Sequence, residues 1–264
     1  MSDVKISEIY LKTKEVVYEA GEIMLESLDE DSDIIQKSGE SNFVTSIDLK
    51  VEGYLKVKLS EILPGSNIIS EEADKNSFNL DRPTWILDPV DGTTNLIYNF
   101  GLSAISLALY IEGRPELSFI YNPFTKELFH AVKNEGAYLN DIRIYTSKRE
   151  KLADALVIFG SNPYDRKEAP KTFKKLLDVF LQCREVRNIG SAALDIAYIA
   201  CGRADAFFEY RLQPWDYAAG ILILEEAGGK VVNWNGTNLD VLKPEGVIAT
   251  NGKITNEFYE LLWS

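Results

Sequence analysis

Histidine is almost absent from this chain: His130 is the only one in 264 residues. A mechanism built on a histidine base together with histidine metal ligands is therefore nearly excluded, and carboxylate chemistry gains weight. Cysteine is nearly as scarce. Cys183 and Cys201 form no Cys-x-x-Cys pair and cannot build a disulfide framework. Long apolar runs are missing too. Ala104–Ile111 and Ile221–Leu224 fall far short of the ~20 residues of a membrane-spanning helix. The opening MSDVKISEIY has no basic start, apolar core or small-residue cleavage site of a secretory signal. These absences predict a cytoplasmic protein with reduced thiols and no membrane partner. Positive charge is also in deficit: 28 Lys and Arg against 41 Asp and Glu give a net charge of −13. Nonspecific nucleic-acid binding needs a cationic footprint, so no nucleic-acid partner is expected. An anionic substrate would need a local reversal of that field, which bound divalent cations supply.

What is present is ordinary globular composition, 45% hydrophobic and 26% charged. Apolar spacing at Ile6, Ile9, Val16, Val17, Ala20 and Met24 predicts a first helix with one buried face. The polar stretch Asp29 to Asn42 reads as a loop, and a second helix is expected from about Ser46 to Leu63, stopped by Pro64-Gly65. Strands follow at Ile68–Ser70, Thr84–Leu87, Ala104–Ile111, Leu117–Tyr121 and Leu128–Val132, then through EGAYLND, as an antiparallel series. Beyond about residue 150 strands alternate with helices: strands at Ala155–Phe159, Ala206–Glu209 and Val247–Ala249, helices at Lys167–Gln182, Ala192–Cys201 and Trp215–Ala227. Two tightly packed halves are expected, 1–150 as an α+β metal-binding half and 151–264 as a smaller α/β substrate-binding half.

Three acidic segments carry the chemistry. In Asp88-Pro-Val-Asp91-Gly-Thr-Thr-Asn95 an apolar strand ends in one carboxylate and a second follows three residues later. Two such charges about 4 Å apart repel by ~4 kcal/mol at an effective dielectric near 20. A hard cation with oxygen ligands removes that repulsion, and the amides of Gly92 and Thr93 at a helix start suit a phosphate. Alone, the segment reads equally as a turn with a capping aspartate. Glu71-Glu72 directly follows the strand NIIS, where either glutamate also fits a solvated strand end. Asp216 opens the helix WDYAAG, where it also fits an N-terminal capping role. Together the three acids have the look of a multinuclear metal site.

In combination, SEE (70–72), WILDPVDGTTN (85–95), GSAALDIAYIACGRADAFFE (190–209) and WDYAAG…EEAGG (215–229) resemble the inositol monophosphatase superfamily, which includes the archaeal-type dual fructose-1,6-bisphosphatase/inositol-1-monophosphatases and nucleotide phosphatases. YNPFTKELFHAVKNEGAYLN carries the likeness through most of the chain. The resemblance implies a layered αβαβα sandwich, with a large antiparallel sheet in the N-terminal half and a smaller mixed, mostly parallel sheet in the C-terminal half. It implies a homodimer and two or three Mg²⁺ per site. Asp88 would bridge two ions, with Glu71 and the Val90 carbonyl at the first and Asp91 and Asp216 at the second. Thr93, hydrogen-bonded to Asp48, would help orient and deprotonate the attacking water, with Glu71 beside it. Asp48 fits a capping box in Thr45-Ser-Ile-Asp48 equally well.

On the substrate side, Asp91, Ala192 and Glu209 occupy positions that the resemblance assigns to contacts with the substrate, and Gly92 and Thr93 face its phosphate. The chain departs from the animal enzymes at YRLQP, which introduces Arg211 and no histidine. Arginine suits a second phosphate, and Asn162, Tyr164 and Arg187 could join it, each also readable as a surface-loop residue. The expected activity is hydrolysis of small sugar or polyol phosphates, chiefly fructose 1,6-bisphosphate and inositol 1-phosphate, by metal-activated water. The alternatives are a 3′-phosphoadenosine or NADP phosphatase, and a regulatory binding protein on the same fold. His130, in ELFHAV, is expected to be structural, and Lys37 to close near a third ion.

Overall fold

The computed structural model describes residues 3–29, 34–36, 43–72, 79–163 and 166–264. In chain order α1 (Asp3–Glu26) leads to a short hairpin of β1 (Ile34–Gln36) and β2 (Phe43–Thr45), then to α2 (Ser46–Ile62). Next come β3 (Asn67–Ser70), β4 (Thr84–Asp91), α3 (Thr93–Ile97), β5 (Ala104–Ile111), β6 (Arg114–Asn122), β7 (Glu127–Val132), β8 (Gly136–Leu139) and β9 (Ile142–Arg143). The second half holds β10 (Leu156–Phe159), α4 (Ala169–Phe180), β11 (Glu185–Arg187), α5 (Ala192–Ala200), β12 (Ala206–Leu212) and α6 (Pro214–Glu226). It ends with β13 (Lys230–Asn233), β14 (Glu245–Thr250) and α7 (Thr255–Trp263).

Seven strands form one sheet in the order β3-β4-β5-β6-β7-β8-β9, parallel only between β3 and β4. Five form the other, β11-β10-β12-β14-β13, with two parallel and two antiparallel ladders. The smaller sheet is thus mixed as expected, with its parallel share reduced to half because β14 enters antiparallel between β12 and β13.

Strand alternation sorts the side chains into three apolar layers. In β4, Trp85 and Leu87 face α1 and α2, where Val17, Met24, Val51 and Leu55 meet them. Ile86 points the other way, into a central layer with α5 and α6. In β12, Phe207 enters that central layer from the second sheet, while Ala206 and Phe208 turn outward to Val179 of α4 and Phe258 of α7. The stack is helices, sheet, helices, sheet, helices. Helix α5 reads AALDIAYIA and, Asp195 aside, is apolar all round because it lies between two sheets. It approaches α6 closely at Gly220, where an added Cβ would come within 2.8 Å of Ile196.

Several local expectations change. The polar stretch contains β1, paired antiparallel with β2; Lys37 and the SGES segment lie outside the described residues. Strand β4 runs four residues beyond Leu87, carrying Asp88 and Asp91 inside the sheet. Strands β11 and β13 and helix α7 were not anticipated. His130 is structural, as expected: buried, with Tyr10 Oη 3.2 Å from Nδ1 and the Asn140 carbonyl 2.5 Å from Nε2, and stacked on Tyr138.

Candidate active site

The acidic residues converge because several elements end at one place. In β4, Asp88 pairs with Ser106 and Asp91 with Ala104, so three steps on one strand oppose two on the other. Pro89 cannot donate to the ladder, and the extra residue makes a bulge that sets both carboxylates at the strand's end. Gly92 then turns the chain at φ +89° into α3. A side chain there would press within 3.0 Å of the Leu102 carbonyl and 3.1 Å of the Gly190 carbonyl. Asn95 locks the turn, its Nδ2 donating to the carbonyls of Leu102 and Ile189 at 2.9 and 2.8 Å.

Asp88, Asp91 and Asp216 offer one carboxylate oxygen each within 4.8 Å of the others. Each is held by a neighbouring donor. Val90 N–H donates to Asp88 Oδ1 at 2.9 Å. Ser191 Oγ and the Ala193 N–H donate to Asp91 Oδ2 at 2.5 and 2.8 Å. Gln213 N–H donates to Asp216 Oδ2 at 2.7 Å. Asp91 therefore sits at the N-terminus of α5, capped by Ser191, and Asp216 belongs to the first turn of α6. Both positions favour a negative charge. The capping role that the sequence offered for Asp216 and its place in the acid cluster hold together, through one side chain.

The electrostatics leave this cluster unbalanced. Burial, followed by the charges of Glu71, Asp91 and Asp216, pushes the Asp88 carboxyl well above the usual range. Burial raises Asp91 to about 6 against the pull of Ser191 and the α5 amides. Asp216 is raised by burial, then by Asp91 and Glu71. Glu71, directly after β3, thus acts on the cluster by charge; it is not among the three acids within 4.8 Å. Among the described residues no lysine or arginine pairs with Asp88, Asp91 or Asp216. Buried like charges without a counter-ion are costly, and an all-oxygen donor set suits a hard divalent cation.

Asp48 occupies the N3 position of α2, and Thr45 caps the helix in the expected capping box. Asp48 Oδ2 accepts from the Thr45 N–H at 2.9 Å. Its Oδ1 lies 3.2 Å from Thr93 Oγ1, which is also 3.1 Å from the Val90 carbonyl. One hydroxyl proton faces two acceptors, so Asp48 both ends the helix and contacts Thr93. Burial raises its carboxyl, opposed by the Thr45 hydrogen bonds.

Across the site Glu209 is buried on the α5–α6 side of β12, and it is pushed up to about 8 mainly by burial. Asn162 N–H donates to Glu209 Oε1 at 2.9 Å. Ala192 is the first residue of α5, beside Asp91. Arg211 lies past a bulge that follows Glu209, exposed and without a hydrogen bond or ion pair among the described residues. Arg187 is exposed, donating to the Val186 carbonyl at 2.7 Å and facing Glu185 at 3.6 Å. Tyr164 lies outside the described residues. The structure joins Asn162 to Glu209, not to either arginine.

Sequence reading missed Ser191, Gly160 and Asp195. Serine before AALD is a helix-start signal that could have singled out Ser191. Gly160 carries no such signal: an added Cβ would come 1.9 Å from Glu209 Oε2. Asp195 is buried on α5, its Oδ1 without a partner, and is raised by burial and by the charges of Glu209 and Asp91.

The pattern of the inositol monophosphatase family matches residues 5–264. The chain belongs to the inositol monophosphatase family. Among its relatives, "Nus factor SuhB" of Salmonella typhimurium is 36% identical over 83% of this chain and 81% of its own length. The "Inositol monophosphatase" of Dictyostelium discoideum is 34% identical over 99% of this chain and 97% of its own. Among solved structures, the extragenic suppressor protein suhB of Bartonella henselae superposes with a TM-score of 0.88 at 32% identity, covering 95% of this chain and 96% of that one. An IMPase/NADP phosphatase complexed with Mg²⁺ and phosphate superposes with a TM-score of 0.88 at 25% identity, covering 97% and 95%. The family gives the chain a phosphatase fold, and Mg²⁺ is bound in one of its neighbours. No helix among the described residues is long and apolar enough to cross a membrane.

Proposed function

We propose that this chain is a magnesium-dependent phosphatase of small polyol and sugar phosphates, inositol 1-phosphate and fructose 1,6-bisphosphate first among them. The observation that carries this reading is the trio Asp88, Asp91 and Asp216, the first two buried and the third partly so, within 4.8 Å of one another without a balancing cation among the described residues. Asp88, Asp91 and Asp216, with Glu71 and the Val90 carbonyl, would hold two or three Mg²⁺. When bound, such ions neutralise the carboxylates, activate water and stabilise charge on the leaving oxygen. The chain's own residues do the rest. Asp48 accepts the Thr93 hydroxyl proton, leaving the Thr93 oxygen lone pairs to accept a proton from water and orient it. The amides of Gly92 and Thr93 face the phosphate, and Ala192 and Glu209 line the polyol side. Arg211, exposed and without an ion pair among the described residues, supports the bisphosphate reading as a cation near Glu209 in sequence. The halves 1–150 and 151–264 would act as one unit, since the central apolar layer draws on both.

Purified chain should release phosphate from inositol 1-phosphate and fructose 1,6-bisphosphate with Mg²⁺ and not with EDTA. Asp88→Asn should lower kcat at least ~10³-fold, as for loss of a main electrostatic element. Silence across sugar, polyol and nucleotide phosphates, NADP included, would leave the second reading. That reading is a regulatory protein on the same fold, favoured by relatives named as Nus factors. A homodimer also belongs to this proposal, with the exposed Phe173, Leu177, Phe180 and Leu181 of α4 and its C-cap offering an apolar surface. A solution mass of one chain, 29.7 kDa, by light scattering would exclude it.

A further inference from the structure

Resting on the metal-dependent phosphatase reading, we infer that Ser106 is a positioning residue of the acid cluster: its hydroxyl fixes α6, and with it Asp216, at a set height against Asp88.

Strand β5 divides its side chains by alternation. Ile105, Leu107 and Leu109 join the layer beside α1 and α2, while Ala104, Ala108 and Tyr110 join the central layer with Ala218, Ala219 and Leu222 of α6. Ser106 falls on that second face, in a row of small side chains. Apolar contacts of this kind exclude water but have no direction, so they leave a helix free to slide along its axis. Two hydroxyls supply the direction. Ser106 Oγ donates to the Trp215 carbonyl at 3.0 Å, and Tyr110 Oη to the Ala218 carbonyl at 3.2 Å. Both residues are buried.

The two bonds stand at different places. Ser106 is the cross-strand partner of Asp88, and Tyr110 is that of Thr84. Trp215 directly precedes Asp216, whereas Ala218 lies two residues beyond it. One hydroxyl thus joins the neighbour of one cluster acid to the neighbour of another. A serine hydroxyl has a single proton, and this one goes to Trp215 and not to the adjacent Asp88 carboxylate, which is left for a cation. Metal sites tolerate departures of about 0.2 Å in ligand distance, while a helix advances about 1.5 Å per residue. A slide by a fraction of one residue would therefore spoil the spacing between Asp216 and Asp88.

The test sets Ser106→Ala against Tyr110→Phe, each deleting one hydroxyl bond from β5 to α6. Titration calorimetry with Mg²⁺ on the full chain should find Kd raised about 10-fold in Ser106→Ala, the lower end for loss of a group that orients metal ligands. Tyr110→Phe should leave Kd unchanged. Both should melt lower than wild type in EDTA, since each loses a buried hydrogen bond. A role in packing alone would lower the melting temperatures and move neither Kd. Ser106→Cys, close in volume with a weaker donor, serves if the alanine form fails to fold and should also raise Kd. An unmoved Kd at position 106, or an equal rise in Tyr110→Phe, would overturn the inference, while phosphate release by the wild type keeps the phosphatase reading. If the wild type neither binds Mg²⁺ nor releases phosphate, both fall.

Discussion

Asp88, inside β4, and Asp205, just before β12, are both buried aspartates, and their surroundings differ sharply. Asp205 precedes β12 and is fully satisfied. Its Oδ1 accepts from Ser147 Oγ and from Arg149 Nη1 at 3.2 Å, and its Oδ2 from the Leu156 N–H at 2.7 Å. Asp88 accepts one hydrogen bond from Val90 and otherwise meets Asp91, Asp216 and Glu71. Burial by itself therefore does not mark a functional acid. What marks it is burial whose charge the protein declines to balance, because the balance is left for something that binds.

That contrast breaks most visibly in stability. Asp205→Ala strands a buried N–H and frees Arg149, which should cost roughly 2–4 kcal/mol. For a chain of this size the melting temperature should drop by about 5–15 °C. Metal-free Asp88→Asn removes repulsion instead, so it should melt at or above wild type. Mg²⁺ should stabilise the wild type by ~2.7 kcal/mol at 100 times Kd, and Asp88→Asn should lose that shift. Calorimetry in Mg²⁺ and in EDTA decides; equal destabilisation by both substitutions would erase the distinction.

The pH dependence sharpens the comparison on the substrate side. The Glu209 carboxyl titrates at about 8 in the fold against 4.5 when unperturbed. Its folded value is the higher one, so the stability tied to the protonated form is complete below about pH 4.5 and is lost as pH rises through 8. Metal-free wild type should lose a few kcal/mol at most between pH 5 and 8. Urea unfolding of Glu209→Gln in EDTA should show a flatter profile, and an unaltered slope would remove Glu209 from the unbalanced set.

The smallest effect is expected at Ser191. Its hydroxyl caps α5 and donates to Asp91, so Ser191→Ala should cost about 1 kcal/mol and weaken Mg²⁺ affinity severalfold. Titration calorimetry with Mg²⁺ that finds no change would mean that Asp91 is held well enough by the α5 amides alone.

Much of this was legible in the sequence where the signal is local. Continuously apolar buried strands such as AISLALYI, the α2 capping box and the acids of DPVDGTTN all announce themselves within a few residues. Elements with weak local signals escaped. Strand β11 has three residues and β13 has four. Helix α7 starts at Thr255, and the Ile254 before it provides no side-chain cap. The polar segment before α2 hid a hairpin because its strands are three residues each.

By itself the sequence determined where most helices and strands lie and which acids stand near their ends, because periodicity, capping and proline's missing N–H act between near neighbours; the layered stacking followed only from the family resemblance. Only the tertiary structure decided what those acids meet. Asp91 and Ser191 are 100 residues apart, Asn162 and Glu209 are 47 apart, and Thr93 and Asp48 are 45 apart. Hydrogen bonding and charge depend on distances of a few ångströms, and those distances exist only once both sheets close on α5 and α6.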